Sequence, residues 1–195
     1  FRIATQVAPR AVIEEELIGP VYRATVVDGK FAAALRRDQP YVEGDGKRTI
    51  TELIEEANTH PKRQGPYFHH IKLDETADEE LAWQDLTRES VLPPGVRAIL
   101  HQKINWSVGG TTCDVTAQVH PDNIELFEET ARVLGATIVG IDFIIEDITR
   151  SWKEQERCGI LECNSMPFFD NHHLPFEGEP QNVAARIWDM NGEVA

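Results

Sequence analysis

Two short apolar runs deliver oxygen-bearing side chains: Val-Gly-Ile-Asp-Phe-Ile-Ile-Glu at 139–146 and Cys-Gly-Ile-Leu-Glu-Cys-Asn-Ser-Met-Pro at 158–167. Asp142 lies inside the first run, and Glu162 and Asn164 close the apolar part of the second. Residues two apart on a strand share a face, so Glu162 and Asn164 point together and Cys163 points away. If the two runs pair side by side, Asp142 joins them. Two carboxylates and an amide oxygen form a hard, all-oxygen set that suits Mg²⁺ or Mn²⁺ far better than zinc. Magnesium held by so few protein oxygens completes its shell with water and substrate phosphates. The same residues also read as solvated carboxylates at the rim of a sheet, and spacing alone leaves both readings open.

The elements that must position these residues are partly legible. Strands at 22–27 and 30–35 flank Asp28-Gly29, a pair that suits a type I′ turn and predicts a tight hairpin. Residues 11–16 read as another strand, broken by Gly19-Pro20. Thr49-Ile-Thr-Glu52 is a capping box for a helix over 50–58, with Ile50, Leu53, Ile54 and Ala57 on one face. Thr76-Ala-Asp-Glu79 repeats that pattern before a second helix running to about Leu86. A strand is expected over 96–102. A helix over 121–134 opens on Pro121, buries Ile124, Phe127, Ala131 and Leu134, and stops at Gly135. The strand over 137–145 follows it, and 183–190 reads as a closing amphipathic helix. The two histidine pairs, His69-His70 and His172-His173, have no ligand-spaced partners, and packing or surface roles suit them better than metal.

The charge balance, 19 Lys and Arg against 33 Asp and Glu for a net −14, speaks against nucleic acid as a partner. It leaves nucleotides open, because such a site depends on a local ion and one or two cations. No apolar run approaches the ~18 residues of a membrane helix, and the first residues lack a signal-peptide pattern. Three cysteines at no zinc-like spacing read as reduced thiols, so a cytoplasmic protein is expected.

The order of motifs carries a resemblance. Gly-Ile-Asp at 140–142 and Leu-Glu-Cys-Asn-Ser-Met-Pro at 161–167 resemble the metal-binding end of the ATP-grasp ligases. Tyr-Val-Glu-Gly-Asp-Gly-Lys-Arg-Thr-Ile at 41–50, Ile-Lys-Leu-Asp at 71–74, Asn-Trp-Ser-Val-Gly-Gly-Thr-Thr at 105–112 and Val-His-Pro-Asp at 119–122 precede them in this order. Together they are similar to cyanophycin synthetases and bifunctional glutathione synthetases. Glu-Glu-Glu-Leu-Ile-Gly at 14–19 and Cys-Asn-Ser-Met-Pro-Phe at 163–168 resemble the N-acetylglutaminylglutamine synthetases still more.

This resemblance implies an α+β fold, the C-terminal lobe of an ATP-grasp domain, with a mainly antiparallel sheet flanked by helices. It assigns residues 1–16 to the end of the N-terminal lobe and a linker strand, 17–195 to the C-terminal lobe, and 38–95 to a subfamily insertion. ATP and Mg²⁺ (or Mn²⁺) are the implied cofactors, the metal falling to Asp142, Glu162 and Asn164. Glu14, Glu15, Glu16 and Leu17 would meet the nucleotide; without the resemblance, the three glutamates read as a solvated charge run. Relatives carry an acidic residue for the ribose where this chain has Val21. Arg23, Lys103 and Asn105 would act on the phosphoryl group or acyl-phosphate, with Arg36 or Arg37 as a helper. Ser107, Gly109 and Gly110 would embrace the substrate, glycines letting backbone amides approach an anion.

The activity implied is a carboxylate–amine ligase making an amide through an acyl-phosphate, N-acetylglutaminylglutamine synthesis first and cyanophycin- or glutathione-like ligation second. Its partners would be amino-acid or peptide substrates, with no membrane, an N-terminal ATP-grasp lobe in the same protein, and a possible homo-oligomer. The family's phosphate-gripping lysines precede the linker, where this chain has only Arg2 and Arg10. The chain therefore reads as an incomplete enzyme, with a non-catalytic binding module as the rival from another class. A magnesium phosphatase or phosphomutase would need an Asp nucleophile motif, and none stands in the sequence.

Overall fold

The computed structural model describes residue 10 and residues 12–190. Its centre is the hairpin of β1 (Val21–Val27) and β2 (Lys30–Asp38). Asp28 and Gly29 both take positive φ, 49° and 69°, as a type I′ turn requires, and Val27 pairs with Lys30 across it. β5 (Thr111–Asp114), β6 (Ile138–Ile144) and β7 (Gly159–Asn164) complete a five-stranded antiparallel sheet in the order β5-β2-β1-β6-β7.

The back of the sheet is apolar. Tyr22, Ala24, Val26, Ala34, Ile141 and Phe143 pack there against Phe127 and Ala131 of α3 (Pro121–Leu134). That helix begins with Pro121, is capped by the His120 ring accepting from Asp122 N, and ends on Gly135 in the left-handed region. Phe127 is fully buried, edge-on to Phe143 at 5.4 Å and stacked near Phe31. Asn123, also fully buried, donates to the carbonyls of Ile148 and Arg150 and accepts from Trp152 N. It thereby pins the polar segment between β6 and β7.

The front of the sheet is divided. One end is covered by α4 (Asp170–His173) and α5 (Val183–Met190), where Val27, Ala32, Ala33 and Val183 form a small cluster. The other end is left for polar side chains. Beside the sheet sits a second core of Val42, Ile50, Leu53, Ile54, Leu81, Ala98 and Leu100. It is built from β3 (Tyr41–Glu43), α1 (Ile50–Asn58), α2 (Glu75–Trp83) and β4 (Arg97–Ile99), with β3 and β4 paired as a separate sheet.

Several expectations need correcting. Of the strand expected over 11–16, residue 11 lies outside the described residues, as do 1–9. Residues 12–18 are no strand: Val12 and Ile13 stay exposed, Ile18 N donates to the Arg157 carbonyl, and the Glu16 carbonyl accepts from the Arg157 side chain. The expected strand at 96–102 shrinks to β4, since only Arg97–Ile99 pair with β3, Leu100 N reaching back to the Pro40 carbonyl just before it. α1 has the capping box at Thr49 and Glu52, but α2 begins earlier than Thr76 implied. Asp74 accepts from Ala77 N as its cap, and the helix ends at Trp83, before Asp85 in the left-handed region.

Candidate metal and phosphate site

β1 and β6 pair with Arg23 opposite Asp142, and β6 and β7 pair with Asp142 opposite Glu162 and Gly140 opposite Asn164. The period of two then puts Arg23, Asp142, Glu162 and Asn164 on the front face. On β2, Leu35 is the partner of Arg23, so Arg37 reaches the same face and Arg36 the opposite one. The structure thus brings Asp142, Glu162, Asn164 and Arg23 together and adds Arg37.

The contacts are specific. Arg23 grips Asp142 with two parallel hydrogen bonds, Nε to Oδ1 and Nη2 to Oδ2, and Arg37 Nη1 donates to Oδ2 at 3.1 Å. The Arg23 and Asp142 side chains are only 10% and 8% exposed, a geometry in which Arg offers far more than a point charge. Burial pushes the Asp142 pKa up, but the hydrogen bond and charge of Arg23, then the charge of Arg37, outweigh it and hold the carboxyl below its usual value. Glu162 lies 3.9 Å from Arg23 Nη2 and is 59% exposed. Asn164 Nδ2 donates to Glu162 Oε1 at 2.9 Å, which leaves the amide oxygen open. Two guanidiniums and two carboxylates make the cluster neutral.

Gly140 explains how the loop after β7 folds back over the site. A Cβ at that position would lie 2.6 Å from Pro167 Cβ and 3.2 Å from Arg23 Cδ. Only glycine admits both.

Next to the cluster is a cleft of about 290 Å³ lined by Arg23, Arg37, Ile104, Asn105, Trp106, Phe168 and Asn171. Arg37 Nη2 donates to the Ile104 carbonyl, tying the cleft's loop to the sheet. Larger clefts lie elsewhere, one of about 520 Å³ beside α1 and one of about 580 Å³ beside α3. Side-chain chemistry rather than size singles out the smaller one.

The remaining predicted residues are placed less favourably. Asn105 lines the cleft, but its Oδ1 is occupied in capping the short turn Trp106–Val108. Lys103 is exposed, and its ammonium makes no hydrogen bond or ion pair among the described residues. Ser107 is exposed. The Gly109 and Gly110 amides do not form an anion cradle here, because they donate to the carbonyls of Trp106 and Asn105. Both glycines instead allow close packing: a Cβ on Gly109 would meet Ile71 at 2.8 Å, and one on Gly110 would meet the Asp38 carbonyl at 2.9 Å. Glu14, Glu15 and Glu16 are exposed and Leu17 is half-buried against Gly159. Arg36 is paired with Asp38.

His172 is fully buried, its Nε2 sharing a hydrogen bond with Thr25 Oγ1 two residues from Arg23. Burial first, then the charges of Arg23 and His173, lower its pKa to about 3, so the ring is neutral and structural. The unfolded ring, near 6.5, binds a proton that the folded ring refuses. Stability from this group is therefore full above about pH 6.5 and declines as pH falls toward 3. His172→Gln is expected to flatten the pH dependence of urea unfolding between those limits, by up to about 1.4 kcal/mol per pH unit. An unchanged slope would remove His172 from the account. His173, by contrast, accepts from Ala184 N at the start of α5.

Among the described residues, no group of three or more His, Cys, Asp or Glu could hold a metal. A metal ion here would need Asn164, water or substrate oxygen to complete its shell. No described helix is long and apolar enough to cross a membrane, and the three cysteines are free thiols.

An antiparallel sheet bearing Gly-Ile-Asp on one inner strand and Glu-x-Asn on its edge neighbour defines the C-terminal region of an ATP-grasp domain, and the chain's homologues are ATP-grasp ligases. The relatives are particular. The chain is 37% identical over 193 residues to a cyanophycin synthetase of Trichormus variabilis, a match covering 97% of the chain and 21% of that protein. It is 33% identical over 182 residues to the glutathione biosynthesis bifunctional protein GshAB of Clostridium perfringens, covering 92% of the chain and 23% of that protein. A crystal structure of a bifunctional glutathione synthetase from Pasteurella multocida superposes with a TM-score of 0.76 at 27% identity, covering 90% of this chain and 24% of that one. No family model matches the chain. The chain spans about a fifth of the length of the curated relatives it matches.

Proposed function

We propose that the protein containing this chain is an ATP-dependent carboxylate–amine ligase and that the front-face cluster is its magnesium and phosphate site. The observation that carries this reading is the cross-strand set of Asp142, Glu162 and Asn164, all oxygen donors, interleaved with two guanidiniums. The neutral charge of the cluster gives the metal little reason to bind by itself. Nucleotide phosphates change that balance, because Arg23 and Arg37 can turn from Asp142 to phosphate oxygens and free the carboxylate. Bound magnesium would neutralise phosphate charge during transfer.

In this reading a substrate carboxylate attacks the γ-phosphorus of ATP, the β–γ bridging bond breaks to release ADP, and an acyl-phosphate forms. An amine then attacks its carbonyl carbon, expelling phosphate and losing a proton to leave the amide. Arg23 and Arg37 hold the anionic oxygens, Asn105 offers an amide to the substrate in the adjoining cleft, and Phe168 and Trp106 wall that cleft from water. Lys103 and Ser107 are placed to join only if their exposed loop closes. Glu14 to Leu17 serve the nucleotide where residues 1–16, the end of an N-terminal lobe and its linker, meet the C-terminal lobe of 17–195. Residues 38–95 form the insertion beside it, and the protein works in the cytoplasm.

The substrates are best sought among amino acids and short peptides, as the relatives' names indicate. The test incubates the full protein with MgATP and either N-acetylglutamine plus glutamine or an Asp/Arg peptide primer plus aspartate. Mass spectrometry is expected to find an amide product with one equivalent of released phosphate. Phosphate release without any amide, across such a panel, contradicts the ligase reading.

A further inference from the structure

A second site lies away from the metal cluster, in the cleft of about 520 Å³ between α1, β3 and the Phe176–Glu177 segment. Arg63, on its wall, is 6% exposed. Its Nη1 donates to the carbonyls of His69 and Gly109, and its guanidinium lies 5.0 Å from the Phe176 ring centre. Among the described residues its buried Nε has no partner and its Nη2 makes no hydrogen bond. Among the described residues no carboxylate pairs with it. An unpaired buried cation beside an open cleft is the signature of an anion that the protein itself does not supply.

The other charges of the cleft narrow the ligand. Glu56 and Glu43 are committed to Arg48 and Arg97. Glu177, also on the cleft's wall, is exposed and has no ion pair or side-chain hydrogen bond among the described residues. Tyr41, Leu53 and the tilted His60–Phe176 ring pair supply much of the rest of the wall. One buried cation and one exposed carboxylate on the walls of the same cleft, neither in an ion pair among the described residues, match a small zwitterion.

We propose that this cleft binds an α-amino acid, its carboxylate on Arg63 and its ammonium on Glu177. Because Arg63 also holds the Gly109 carbonyl, an occupied cleft firms the loop at 105–110 that lines the phosphate site from its other side. The choice of ligand class rests on the amino-acid ligase reading, whereas the binding itself does not require it.

The test is ligand-observed NMR on the full protein without nucleotide or metal, titrating the common L-amino acids and their α-carboxamides. At least one amino acid is expected to bind at about 20 mM or below, with its carboxamide about tenfold weaker or more. Arg63→Lys and Glu177→Gln are each expected to weaken it by about tenfold. Should Arg63→Lys loosen the fold, the carboxamide comparison and the surface variant Glu177→Gln still decide the matter. Absence of binding throughout the panel, equal binding of carboxamides, or unchanged affinity in a folded Glu177→Gln overturns the proposal. Failure of ATP-dependent product formation leaves this result untouched, so the two readings fail separately.

Discussion

Asp142→Asn is expected to lower the turnover of the proposed ligase by about 10³-fold and to cost the fold about 3 kcal/mol. Both effects come from the same removed charge. The carboxylate anchors two guanidiniums, Arg23 through a bidentate pair and Arg37 through one bond, in a part of the sheet almost closed to water. An amide keeps the shape but leaves one buried and one half-buried cation with less than one counter-charge between them, since Glu162 is exposed and 3.9 Å away. Phosphate-release kinetics on the full protein reads the first effect, and urea unfolding of the 195-residue chain reads the second. Turnover within a few-fold of the parent, with the fold equally stable, would mean that Asp142 is only a sheet-rim carboxylate.

The second large effect is on stability alone. Phe127→Ala is expected to cost about 3–5 kcal/mol, a large fraction of the stability of a domain this size. The ring is completely buried between Phe143 and Phe31 and is the largest side chain that α3 places on the sheet. Asp142 neighbours Phe143 in sequence but faces the other side of β6, so the folded variant should keep its affinity for MgATP. A stability loss below ~1 kcal/mol in urea unfolding would mean that α3 can close over the gap, against the packing described here.

Much of the site was legible because strand periodicity is a short-range rule. Asp142, Glu162 and Asn164 needed only that two runs be strands and that they pair, and the hairpin needed only Asp28-Gly29. Arg37 was harder. Its neighbour Arg36 carries the same charge, and the face each takes is fixed by the register of β2 on β1, which no local pattern prints. Arg63 was missed altogether, because nothing in Pro-Lys-Arg-Gln distinguishes a surface cation from one buried against Phe176. The loop at 105–110 misled in the opposite direction: its glycines suggested open amides, yet close packing on Ile71 and Asp38 is what demands them. The strand expected over 11–16 was a propensity reading, and propensity yields where no neighbouring strand takes up the backbone.

The central claim is that the front face binds magnesium together with nucleotide phosphates, and Glu162→Ala tests it most directly. Glu162 is exposed, makes one hydrogen bond from Asn164, and contributes little to the core, so its removal should leave unfolding by urea within about 0.5 kcal/mol of the parent. Calorimetric titration of ATP into the full protein, with and without Mg²⁺, is expected to show magnesium-dependent binding in the parent and none in the variant. Nucleotide affinity that is unchanged in a folded Glu162→Ala, with the same dependence on magnesium, would contradict it.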